Sequence, residues 1–176
     1  INENIDINSV PDKNCIFTTK SDRNLNILLE AWGHIFKLNN DAKLFINPPF
    51  KCSDSLLAQS VFIRKKGDKM DLIKDLKSSR IMLTPGHKGE VFCLAAEEAR
   101  ELCIPIITLG YGSLYERVIH NKTGFIAKNI IEFSNYTNRL LNDDVLYLEI
   151  RKNLFKLKNT RNFSHVAKEF LDIIKS

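Results

Sequence analysis

Long apolar runs are absent from this 176-residue chain, and none approaches the roughly 18–20 residues that a helical membrane span needs. Glycine (7) and proline (5) are scarce, which excludes collagen-like and low-complexity architectures. The four cysteines, Cys15, Cys52, Cys93 and Cys103, form no Cys-x-x-Cys and no paired ligand spacing. A zinc ribbon and a disulfide scaffold are therefore unsupported, and the thiols read as reduced and buried. Asp-x-Asp does not occur, nor does a basic-then-apolar leader at the start. The first residue is Ile1, not Met, which suggests a chain cut from something longer.

What is present is ordinary globular material. Hydrophobic residues make up 44% and charged residues 27%. One domain of this size buries about 70% of its unfolded surface and folds without staples. Lys and Arg number 26 against 21 Asp and Glu, a net charge of +5. That mild excess suits phosphates, nucleic acid or anionic lipid without selecting among them.

Short apolar runs alternate with helical periodicity. Strands are expected at 15–19, 43–47, 61–64, 80–84, 104–108 and 124–127. Helices are expected at 25–36, 70–76 and 92–103, with three closing helices at 129–141, 144–157 and 164–174. Pro48-Pro49 and Pro85-Gly86 stop two of the strands. Strand–helix–strand repetition of this kind gives a doubly wound α/β fold with a parallel sheet. Ligands of such sheets sit at the carboxyl ends of the strands. Here the loops Lys20–Arg23, Pro85–Glu90 and Leu109–Glu116 gather at those ends.

The most informative stretch is 80–127. It carries Pro85, Glu90, Phe92, Leu94, Glu98-Ala99 and Pro105 in that order. Glu116, Val118 and Gly124 follow. This set resembles the nucleotide-sugar-binding, C-terminal half of retaining GT-B glycosyltransferases of the glycosyl transferases group 1 family. Upstream, Phe17–Glu30 is similar to that family's strand, phosphate loop and helix. Lys20 takes the place of its Arg, and Arg23 that of its Lys. Ile1–Asp6 looks like the linker that enters the domain.

The resemblance implies a Rossmann-like half of a GT-B fold. Residues 1–14 would be a linker from a missing N-terminal domain, and residues 15–176 a donor-binding domain. Glu90 would be the catalytic carboxylate and would hold the transferred sugar with Val91 and Phe92. Lys20 and Arg23, with the backbone at Cys93 and Leu94, would bind the diphosphate. Glu98 would bind the ribose, and Ile63 and Arg64 would lie near the base. The chemistry is coherent, because cations and helix N-terminal amides stabilise a diphosphate whose charge grows as the sugar leaves. The implied function is transfer of a hexose from a UDP- or GDP-sugar to a glycan or lipid-linked acceptor. Without Asp-x-Asp the resemblance implies no metal and no further cofactor. The fragment alone would be inactive, and the implied location is cytoplasmic or at the inner face of the membrane.

Three departures stand against this. Val91 and Cys93 occupy positions where the family has glycine, and would crowd the donor. Asn47-Pro48-Pro49 replaces a glycine-rich strand end, and Gly110-Tyr111-Gly112 interrupts paired glycines. A catalytically silent interaction or regulatory module is therefore a second reading. Lys20 and Arg23 also fit a solvated turn, Glu98 fits an exposed helix face, and Glu116 reads as loop support. A nucleic-acid reading would rest on Arg64-Lys65-Lys66 and on 151–161, which lack interleaved aromatics apart from Phe155. No nucleic-acid partner is expected. The 151–161 stretch instead fits a solvated helix face or a peripheral contact with anionic lipid. His87 lies in a candidate active-site loop but reads as a solvent-exposed loop residue, and His34, His120 and His165 receive no role.

Overall fold

The computed structural model describes residues 5–47, 53–158 and 163–175. Pro48-Pro49 and Cys52 lie outside them, as does most of the 1–6 linker motif. Six parallel strands form one sheet in the order β3-β2-β1-β4-β5-β6. They are β1 (Asn14–Phe17), β2 (Lys43–Ile46), β3 (Val61–Ile63), β4 (Ile81–Leu83), β5 (Ile106–Thr108) and β6 (Gly124–Ile126). The helices between them are α1 (Leu25–Leu38), α2 (Asp54–Leu57), α3 (Lys69–Lys77), α4 (Leu94–Glu101) and α5 (Leu114–Arg117). Three more close the chain: α6 (Ile130–Asn142), α7 (Asp144–Lys156) and α8 (Phe163–Lys175).

The period of two along each strand divides the core. Cys15, Phe17, Leu44, Ile46, Ile81, Leu83 and Ile107 face one helical layer, with Trp32 of α1, Phe133 of α6 and Tyr147 of α7. Ile16, Met82 and Ile106 face the other, with Ile73 of α3, Ala96 and Ala99 of α4 and Leu114 of α5. Both faces are covered, which is why these strands read as continuous apolar runs. The Trp32 indole is fully buried and donates to the Gln59 carbonyl at 2.8 Å.

The order of strands reverses between β1 and β4. The loops after these two strands diverge to opposite sides and leave a crevice at their carboxyl ends. The candidate residues of the sequence lie around that crevice.

Candidate functional site

Three loops close over the strand ends and hold one another. Asn24, in the left-handed conformation before α1 (φ 61°), donates its amide to the Gly86 carbonyl at 2.6 Å. Gly86 (φ 87°) forms an isolated bridge with Tyr111. A Cβ at Gly86 would lie 2.6 Å from Leu114 Cδ1 and 3.0 Å from the Tyr111 carbonyl. The Ser113 amide donates to the Glu90 carbonyl at 2.9 Å, and the Glu90 amide to the His87 carbonyl at 3.0 Å. Gly112 (φ 62°) passes so close to these two carbonyls that a Cβ would sit within 2.7 Å of both. The loop around Glu90 is thus fixed by its neighbours.

Arg23 and Glu90 meet here, from β1 and β4 respectively. Arg23 Nε lies 3.7 Å from Glu90 Oε2 and 3.7 Å from Asp22 Oδ1. Arg23 Nη1 lies 3.1 Å from His87 Nδ1. Lys20, on the same loop, is exposed and its side chain has no partner among the described residues.

Cys93 precedes α4, and its carbonyl accepts from the Ala96 and Glu97 amides. Its side chain is 2% exposed and joins the core. The sulfur thus sits at the start of α4 beneath the surface. Burial raises the thiol above its ordinary range, and the Ala96 and Ala95 amides beside the sulfur offset part of that. Leu94, the first residue of α4, is exposed. Val91 is 88% exposed, and Phe92 lies beneath the Arg117 guanidinium at 4.2 Å.

A second recess of about 380 Å³ opens beside α4. Glu98, Asn47, Arg64, Lys65 and Lys66 are among the residues lining it. Glu98 and Arg64 thus share one cavity, while Ile63 is absent from its wall. Arg64 is a fixed wall and no longer a free cation. Its Nε and Nη2 both meet Asp75 Oδ2 at 2.7 Å, and Nη1 donates to Asn47 Oδ1. Asn47 in turn donates to the Thr18 carbonyl at 2.6 Å, so the end of β2 is bound to the end of β1.

Three features escaped the sequence. His87 is one. Arg117 is another: it reaches Glu97 at 3.1 Å and joins α5 to α4, whereas Glu116 is exposed. The third is a set of buried hydroxyls without hydrogen-bond partners among the described residues, on Thr18, Thr19, Thr84 and Ser113. Their common position past strand ends was readable, but their lack of partners was not. Among the described residues no group of three or more His, Cys, Asp or Glu could hold a metal ion. No helix among them is long and apolar enough to cross a membrane.

Residues 17–157 match the family described as "Glycosyl transferases group 1". The chain belongs to that family. Its fold is also that of solved relatives. A Staphylococcus aureus TarM variant, determined with fondaparinux, α-GlcNAc-glycerol and UDP, is 19% identical with a TM-score of 0.74. That match covers 98% of this chain and 38% of TarM. Anabaena HepE, determined with UDP and glucose, is 15% identical with a TM-score of 0.71, over 94% of this chain and 48% of HepE. The C-terminal domain of Francisella tularensis LpcC, titled a glycosyl transferase group 1 family protein, is 17% identical with a TM-score of 0.66. There the match covers 84% of this chain and 85% of that domain. No curated protein matches the sequence. The chain therefore spans less than half the length of TarM or HepE. At these identities the likeness shows the fold, a Rossmann-like half of the GT-B architecture.

Proposed function

We propose that this chain is the nucleotide-sugar donor-binding domain of a retaining glycosyltransferase. It would move a hexose from a UDP- or GDP-sugar to a glycan or lipid-linked acceptor held by another domain. The observation that carries this is the meeting of Arg23, Glu90 and the start of α4 at one crevice, with the Glu98 cavity alongside. The UDP in TarM and HepE supports the nucleotide class.

In this reading Arg23 and Lys20 balance the charge that grows on the diphosphate as its bond to the sugar carbon breaks. The electron pair goes to the phosphate oxygen. The acceptor hydroxyl forms the new bond on the same face and gives its proton to that oxygen. Glu90 accepts hydrogen bonds from sugar hydroxyls, and Glu98 from the ribose. The two cations would do the work of a metal ion. Arg151 is turned inward, so the lipid-contact reading of 151–161 loses one of its charges.

Calorimetric titration with UDP and with GDP, without metal, tests this. Binding is expected for one nucleotide, weakened about tenfold or more by Glu98→Ala and by Lys20→Ala/Arg23→Ala, the scale of lost charged hydrogen bonds. No binding at millimolar ligand would favour the silent module, for which the exposed Val91 is the remaining observation.

A further inference from the structure

His87 has no role in the sequence reading, yet it touches the cation that the proposed chemistry depends on. Its Nδ1 accepts the Gly89 amide hydrogen at 3.0 Å and lies 3.1 Å from Arg23 Nη1. An amide and a guanidinium can only donate. Both therefore point at one lone pair, so Nδ1 is unprotonated and the ring proton sits on Nε2. The ring is half-buried and its own carbonyl is bound by the Glu90 amide. Glycine at 89 keeps the contact open, since a Cβ there would stand 3.3 Å from His87 Nδ1 and 3.6 Å from Arg23 Nη1.

We propose that His87 is a positioning residue for the diphosphate. Resting on the donor-domain reading, it aims Arg23 as a neutral acceptor without cancelling its charge. The Nε edge of Arg23 faces Glu90 and Asp22, and Nη1 faces the imidazole. Nη2 has no partner among the described residues and is left for a phosphate oxygen. A carboxylate in place of the ring would hold Arg23 equally well but would repel the diphosphate. An imidazole supplies the direction and no negative charge.

The test compares wild type, His87→Asn, His87→Phe and Arg23→Ala by titration with UDP and GDP. Asparagine places an acceptor near Nδ1, and phenylalanine removes it. At pH 7.5 His87→Phe should weaken binding about tenfold, one charged hydrogen bond, with thermal midpoint unchanged. His87→Asn should stay within about threefold, because the acceptor is kept. Long-range ¹H–¹⁵N spectra of the wild type should show the ring proton on Nε2, with or without nucleotide. Wild-type affinity in His87→Phe, with binding lost in Arg23→Ala, would overturn the role of His87 alone. A proton on Nδ1 at pH 7.5 would also overturn it. Wild type binding neither nucleotide would overturn the donor reading, and the role of His87 with it.

Discussion

At position 124 a methyl group does not fit. A Cβ there would lie 2.0 Å from the Ile106 carbonyl oxygen and 2.9 Å from its nitrogen, across the β5–β6 pairing. Gly124→Ala must push the edge strand outward and should destabilise the protein by about 1–3 kcal/mol. Urea unfolding with an unchanged slope would show this, and an unchanged midpoint would refute it. This is a residue whose identity could be read in the sequence from the family pattern, but whose reason needs the neighbouring strand. The same holds for the site. Arg23, Glu90 and Glu98 were visible as charged groups at a telling spacing. His87 was not, because its partner Arg23 is 64 residues away on another loop. The packing of Cys93 at the start of α4 was not readable either, because a sequence position does not say which way a side chain turns.

Among the elements, the helices with clear apolar periodicity were legible within a few residues. α2 was missed because four residues cannot display a period. α4 starts at Leu94, later than Phe92, because Cys93 is already extended. The start of α6 shows how an element end is fixed by chemistry that periodicity does not reveal. The Asn129 side chain accepts the Glu132 amide at 2.9 Å, and Glu132 Oε2 accepts the Lys128 amide at 2.6 Å. Tyr136 also donates to Glu132 at 3.2 Å. The Lys128 amide is the main cause that holds the Glu132 carboxyl below its ordinary range. A lowered folded-state pKa contributes stability above the unfolded value, about 4.3, and loses it as pH falls through the folded value. Wild type should therefore be more stable than Glu132→Gln near pH 6, and the gap should close from about pH 5 downward. Thermal melts of both proteins across that range would check it, and a gap independent of pH would refute it.

On the scale of the whole molecule, two buried arginines tie the C-terminal helices to the rest. Arg80 donates to the Leu140 carbonyl at 2.9 Å and pairs with Asp144 at 2.5 Å, above the Tyr147 ring at 4.8 Å. Arg151 donates to the Cys103 carbonyl at 3.2 Å and to the Ser9 carbonyl at 2.7 Å, so it fastens the N-terminal segment to α7. Arg151→Ala leaves those carbonyls unpaired and should cost about 2–3 kcal/mol. That lowers the thermal midpoint by roughly 4–12 °C for a chain of this size. A shift below 1 °C would show that water replaces the guanidinium. The fold class was readable because strand and helix periods alternate. These ties were not, since a basic stretch looks solvated until its neighbours are known. The strand order has a further consequence during synthesis. β1 sits mid-sheet yet is made first, and one of its edges must wait for β4. A nascent chain halted before β4 would present that unpaired edge to solvent or to a chaperone, so pausing in this interval is where aggregation should begin.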